Sequence, residues 1–373
     1  MTAKLSTIAL TTLVVFACTS QARAVVFDDN VFFRPGDATW SLSHNPGTPD
    51  FYVAPPAIAP VSSGPAAFGV ANSSDIPMLG DVDGNGLDDL VILRPGVQNF
   101  SWFAAHTADT NNDDAGELGA GGFSSVGSLG VVAGSEGNFL ADFNGDGSDD
   151  LITINAGFDW FGLGSTNAGL GGGVFTSTSF GVAGDQPFVG DFNGDGTDDL
   201  GLYRVATGDI FTLNNTGGNF GGGGVVIAGP IGAGQDSVLV GRLNNDNFDD
   251  LMLLRQDGFG SIEWLPLLND GAGTFLPDLP FIQFGLDNGG DIPVLADIDG
   301  DGIDDIGFTR NSLEHFVLLS GSASLETWNF GQTGDIHLFG QFNIPEPKTF
   351  ALLLIASVSL LFVRSPRWHF QKS

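Results

Sequence analysis

The ten residues Asp191-Phe192-Asn193-Gly194-Asp195-Gly196-Thr197-Asp198-Asp199-Leu200 carry four carboxylates and one carboxamide. Such a stretch repels itself unless a cation sits within it. Side chains at the first, third and fifth positions (Asp191, Asn193, Asp195) converge on one point. Gly196 allows the sharp turn that aims the Thr197 carbonyl at the same point, and Asp199 at the ninth position closes the cage. Oxygen-only ligands in this number suit a hard cation, Ca²⁺ above all.

The unit recurs. Asp81–Leu90, Asp142–Leu151 and Asp297–Ile306 are full copies, and Arg242–Leu251 is a weaker one. Position by position, the side-chain ligands become Asp81, Asp83, Asn85 and Asp89; Asp142, Asn144, Asp146 and Asp150; Asp297, Asp299, Asp301 and Asp305. The backbone ligands become Leu87, Ser148 and Ile303, beside Thr197. The loop at 242 has Arg242 in the first place and Asn247 where the turn glycine belongs. It is expected to bind no metal, with the arginine pairing with Asp246 or Asp250. About four Ca²⁺ ions are therefore expected, in a structural role.

First positions fall at 81, 142, 191, 242 and 297. A period of about 50 residues signals an array, a solenoid or a propeller. More than the loop repeats. A Phe-Gly pair lies upstream (Phe68-Gly69, Phe180-Gly181, Phe284-Gly285), and a short apolar run enters each loop. Downstream comes an apolar strand, then an arginine (Arg94, Arg204, Arg255, Arg310), then an aromatic residue on the next strand (Trp102, Trp160, Phe211, Trp264). Each unit reads as four strands with the acidic loop between the first two, which is one propeller blade.

The ends of this region complement each other. Asp28-Asp29-Asn30 through Trp40 aligns with a blade lacking its first strand, and Gly334 to Gly340 supplies a first strand lacking its blade. Joined, they close a ring without free sheet edges. The count is six blades; the long 81–142 interval leaves room for a seventh as the alternative.

With 44 acidic against 12 basic residues, the formal net charge is −32. Residues 25–343 contain no lysine and only six arginines. Nucleic acid is thereby excluded as a partner class, since phosphate binding needs a basic footprint. The one cysteine, Cys18, lies in the N-terminal apolar stretch, so disulfides and thiolate chemistry are absent from the propeller region.

Residues 1–24 read as a secretory signal peptide, with Lys4, an apolar stretch Ile8 to Phe16, and Ala22-Arg23-Ala24 as the cleavage site. At the other end, 344–373 begin with Ile344-Pro345-Glu346-Pro347, continue through the uncharged run Thr349 to Val363, and finish with Arg364, Arg367 and Lys372. This tail resembles the PEP-CTERM sorting signal of Gram-negative bacteria. The resemblance implies a hydrophobic helix held transiently in the inner membrane. It also implies processing by an exosortase-type protease, and delivery to the cell surface or extracellular matrix. A plain single-pass anchor is the alternative.

Residues 25–343 resemble the FG-GAP and VCBS repeats, whose best-known member is the integrin α-chain propeller. The Phe-Gly half of the motif is present and the Gly-Ala-Pro half is not; the acidic loops match best. The resemblance implies an all-β propeller with Ca²⁺ in the loops between the first two strands, on one face of the ring.

Asp88, Asp149, Asp198 and Asp304 precede the closing ligands and are expected to cap the turn or pair with the repeat arginines. The arginines are read as structural, with a ring that binds an anion as the alternative. The recurring Trp residues are expected to pack between blades, with a carbohydrate-stacking platform as the alternative. His44, His106, His315 and His337 show no ligand spacing. No nucleophile elbow, phosphate loop or zinc-protease motif occurs, so no catalytic residue is assigned. The expectation is a non-enzymatic surface interaction or adhesion module whose partner is an unidentified protein or polysaccharide. A lectin-like propeller and a polysaccharide-acting enzyme are the alternatives.

Overall fold

A computed structural model describes residues 28–43, 66–108, 117–130, 135–171, 175–220, 225–227, 237–256, 260–271, 274–277, 281–286 and 290–340. The expected signal peptide and sorting tail lie outside these residues. Among them no helix is long and apolar enough to cross a membrane.

The strands form a six-bladed β-propeller. Blade 1 runs Ile76–Gly80, Asp89–Pro95, Phe100–Ala108, Glu117–Leu129; blade 2 runs Ser135–Ala141, Asp150–Asn155, Asp159–Leu163, Phe175–Ser179. Blade 3 follows with Asp185–Gly190, Asp199–Arg204, Asp209–Leu213, Val225–Ile227, and blade 4 with Ser237–Gly241, Asp250–Gln256, Ile262–Asn269, then Phe275–Pro277 and Ile282–Gln283 sharing the outer place. Blade 5 is Ile292–Ala296, Asp305–Arg310, Glu314–Leu318, Leu325–Asn329. The closing blade takes Ile336–Gly340 from the end of the region, and Asp29–Arg34, Thr39–Ser43 and Ala66–Ala67 from its beginning. Asp29 pairs with Gly340 and Phe33 with Ile336, so the ring closes within a sheet. The described residues of the 81–142 interval form no seventh blade; blade 1 spends them on the long hairpin of Phe100–Ala108 and Glu117–Leu129.

Burial follows from blades stacked face to face. The second strand is buried on both faces, as Leu151, Ile152 and Ile154 are in blade 2. The third strand alternates buried and half-buried residues, and the outermost strand Phe175–Ser179 is largely open. Proline at the same place in three inner strands (Pro77, Pro187, Pro293) fits an edge strand that pairs on one side only. Six apolar clusters make the core, one at each joint between blades. Trp160 and Ile152 meet Leu200 and Leu202, for example, and Phe32 meets Val317 and Trp328.

Trp40, Trp102, Trp160 and Trp264 are fully buried in these joints. Three donate the indole N–H to the carbonyl of the Phe-Gly phenylalanine: Trp40 to Phe68 (2.8 Å), Trp160 to Phe180 (2.7 Å) and Trp264 to Phe284 (2.7 Å). The tryptophans are thus packing residues, and the glycan-stacking alternative fails at these positions. In blade 3 the equivalent residue is Ile210, paired with Tyr203; Phe211 sits one place later and faces Arg204.

Candidate metal loops and the joints between blades

Each acidic loop is built around its first aspartate. Asp191 accepts from the amides of Gly194 (2.7 Å), Asp195 (3.2 Å) and Gly196 (2.9 Å), and Asp142 accepts in the same way from Gly145, Asp146 and Gly147. Asp81 and Asp297 do likewise with two amides each. Gly194 and Gly196 have φ of 73° and 84°, a left-handed backbone that favours glycine at both turns. The fifth side chain (Asn85, Asp146, Asp195, Asp301) accepts from the amide of the seventh residue (Leu87, Ser148, Thr197, Ile303).

The ninth residue ties the loop to the blade. Asp89, Asp150, Asp199 and Asp305 accept from the amides of Thr107, Ser165, Asn215 and Ser320 at the end of the third strand, at 2.5–2.7 Å. All four are essentially inaccessible to solvent. Burial pushes Asp89 up to about 6 and Asp150, Asp199 and Asp305 up to about 7. Asp297 rises to about 7 for the same reason. Asn144 and Asn193 each donate their amide to the ninth carboxylate.

The donor sets fit a hard cation. Asp297, Asp299 and Asp301 each bring an oxygen within 4.8 Å of the others. Asp83 Oδ1 and Asp150 Oδ2 are buried without a hydrogen-bond partner. One loop departs from the oxygen-only pattern. His106 Nδ1 lies 2.9 Å from Asp89 Oδ2 and 3.6 Å from Asp83 Oδ2, and the three residues form a compact mixed cluster. Asp83 cannot donate to Asp89 as Asn144 and Asn193 do in their loops, and His106 takes that role from the third strand. Its distance in sequence hid it.

The role expected for the eighth residue, a cap on its own turn or a partner for the repeat arginines, is not the one Asp198, Asp249 and Asp304 take. Each of these clasps the neighbouring blade. The Asp249 amide donates to the Asp191 carbonyl (2.9 Å), while the Asp191 amide donates to Asp249 Oδ2 (2.9 Å). The same exchange joins Asp198 to Asp142, Asp304 to Arg242, and Asp28 to Asp297. Asp149 donates its amide to the Asp81 carbonyl, and a Cβ on Gly340 would collide with Asp88, which completes the circle. These carboxylates lie near one another in a ring. Burial first, then neighbouring members, raise Asp149 (Asp88, Asp198), Asp198 (Asp249, to about 7) and Asp28 (Asp304, Asp88). Arg242 also corrects an expectation. It approaches Asp249 at 3.5 Å, not Asp246 or Asp250.

On the other side of the inner strands, four arginines are fully engaged, while Arg255 approaches Glu263 at 4.0 Å. Arg94, Arg204 and Arg310 form two-pronged ion pairs with Asp75, Asp185 and Asp291 at 2.7–2.8 Å, and Arg34 does so with Asp335. Each aspartate also accepts the amide just after the Phe-Gly pair: Val70, Val182, Leu286 and Gln332. Arg204 stacks over Phe211 and Arg94 over Phe103. An anion at Arg34, Arg94, Arg204 and Arg310 would have to displace four buried carboxylates, so the role of these four is structural. The aspartate partners went unseen in sequence, although three stand 19 residues before their arginine.

No family model matches the chain, and no curated protein matches it. Among solved structures, it is similar to a lectin of Agrocybe aegerita described for specific recognition of non-reducing terminal N-acetylglucosamine. That similarity has a TM-score of 0.49 at 15% identity, and covers 85% of this chain and 96% of the lectin.

Proposed function

We propose that this protein is an exported, Ca²⁺-stabilised propeller of the FG-GAP/VCBS type that serves as a non-catalytic interaction module at the cell surface or in the extracellular matrix. The observation that carries the metal reading is the crowding of buried carboxylates, some with orphaned oxygens, in loops of one repeated design. A divalent cation would neutralise them and supply the missing partners. Loops 142–150, 191–199 and 297–305 offer oxygen alone; loop 81–89 offers His106 as well and is the weakest Ca²⁺ candidate of the four.

The interaction reading draws support from the opposite face. Val70, Ile76, Leu286, Ile292 and Ile336 are exposed apolar residues in three consecutive connections into inner strands. Apolar side chains exposed on that one face would suit a macromolecular partner. The PEP-CTERM-like tail supplies the address. Equilibrium dialysis with radioactive calcium tests the metal: three or four ions per chain support the reading, and none removes it. Binding of the mature protein to matrix polysaccharide and to outer-surface protein fractions, beside a glycan array, tests the partner. Release of reducing sugar from that polysaccharide would overturn the non-catalytic assignment.

A further inference from the structure

The joint between blade 5 and the closing blade differs from the other five. Where strands two and three pair, the other blades set Leu93 against Trp102, Ile154 against Trp160, Tyr203 against Ile210, Leu254 against Trp264, and Phe33 against Trp40. Blade 5 sets Thr309 against His315. The closing blade replaces the Leu90, Leu151, Leu200, Leu251 and Ile306 position with Asn30, and the Pro77, Pro187 and Pro293 position with His337.

These four polar residues come together in one network. Thr309 Oγ1 bonds His315 Nδ1 (3.0 Å), Asn30 Nδ2 lies 3.2 Å from His315 Nε2, Asn30 Oδ1 lies 3.3 Å from His337 Nδ1, and His337 Nε2 lies 3.1 Å from the Ser312 carbonyl. A half-turn of the Asn30 amide, which exchanges its oxygen and nitrogen, lets two neutral rings satisfy all four contacts, with His315 Nε2 donating to Oδ1, Nδ2 donating to His337 Nδ1, and His337 Nε2 donating to the carbonyl. Asn30, Thr309 and His315 are buried, and His337 is half-buried. His315 stacks on Trp328, and its ring centre lies 4.5 Å from that of His337.

Among the described residues no carboxylate forms an ion pair with either ring, and Asp335 is the one whose charge favours protonated His337. On the surrounding elements, Arg34 and Asp335 bind each other, Arg310 binds Asp291, Glu314 lies near Arg310, and Glu326 is on the outer strand. Asp29 and Asp305 sit at the loop ends of their strands. Two imidazolium ions at this separation would share one asparagine and repel each other in a poorly hydrated joint.

We propose that the joint between blade 5 and the closing blade is an acid-operated latch: protonation of the His315–His337 pair releases strands Asp29–Arg34 and Ile336–Gly340 from blade 5 and opens the ring there before any other joint yields. Burial, then the neighbouring histidine, push His315 down to about 3, and burial lowers His337. The closed joint disfavours protonation of both rings, and both take up protons more readily once it opens. Below a free-histidine value of about 6.5, opening gains up to roughly tenfold per pH unit for each ring.

Hydrogen exchange of the full chain in excess calcium chloride tests this, with rates corrected for the intrinsic effect of pH. Between pH about 6.5 and 5, the opening constant of Asp29–Arg34 and Ile336–Gly340 should rise by roughly tenfold or more. The equivalent strands of blades 1 and 3 should lag well behind. Equal responses in all joints, or an unchanged closing blade, would overturn the proposal. The double variant His315→Gln, His337→Pro, which restores the repeat's proline, should flatten the response of the closing blade; an undiminished response would equally overturn it. If that variant does not fold, the blade-to-blade comparison in the parent chain decides alone.

Discussion

Asp198 and Asp142 exchange two hydrogen bonds across the joint between blades 2 and 3. The Asp198 amide donates to the Asp142 carbonyl at 2.8 Å, and the Asp142 amide donates to Asp198 Oδ2 at 2.8 Å. The side chain acts as an acceptor, and the strength its charge adds to that bond is set against burial and the neighbouring Asp249 carboxylate, which raise its pKa. Asp198→Asn keeps an acceptor oxygen and removes a carboxylate that its surroundings push up to about 7. It should leave the melting temperature in chelator unchanged or raised at pH about 7.5. Asp198→Ala strands the Asp142 amide and should cost about 1–3 kcal/mol, read by denaturant unfolding.

Calcium and pH should be coupled. Asp150, Asp199, Asp297 and Asp305 have folded values raised to about 7. A raised carboxylate favours the folded state while protonated, so its contribution is complete below the unfolded value of about 3.9 and is lost as pH climbs through the folded value. Each such group costs about 1.4 kcal/mol for every unit by which pH exceeds the unfolded value, up to its folded one. In excess chelator the melting temperature should therefore fall as pH rises from about 5 to about 7 and level off above that. Excess calcium should abolish that fall and raise the whole curve. Identical curves with and without calcium would contradict the metal assignment.

Arg204 and Asp185 form a two-pronged pair in which the carboxylate is 1% exposed and the guanidinium 31%. Breaking a buried pair commonly costs 3–5 kcal/mol, and the partly open arginine lowers that to about 2 kcal/mol for Arg204→Ala. Arg204→Lys cannot reproduce both bonds and should recover only part of the loss. Equilibrium unfolding of the two variants checks the order. A wild-type stability for Arg204→Ala would show that the Val182 amide suffices to hold Asp185.

Trp160→Phe removes the bond to the Phe180 carbonyl and leaves a void in the joint between blades 2 and 3. It should destabilise by about 2–4 kcal/mol while leaving binding to any glycan unchanged, since the ring is fully buried. Loss of glycan binding with unaltered stability would reverse that assignment.

The ring was legible because its loops recur and its ends complete one blade. Asp28 and Asp29 already announced the closing strand. What escaped are relations between copies. Asp198 bonds a residue of the preceding blade, and no reading within one repeat reveals that. Asp185 sits in a connection, apart from the acidic loops that draw the eye. His106 reaches Asp89 only because the long third strand of blade 1 folds back beside the loop. In blade 3 the missing tryptophan shifted the alignment by one place onto Phe211, although Ile210 fills the joint.

The closing blade also sets a clock on biosynthesis. Asn30 and His337 are 307 residues apart in the chain. At 5–20 residues per second, roughly 15–60 s separate their emergence from the ribosome. Throughout that interval the first-made strands lack their inner partner. The ring can close only once Ile336–Gly340 has emerged, so Asp29–Arg34 waits for the whole of that interval as an unpaired inner edge.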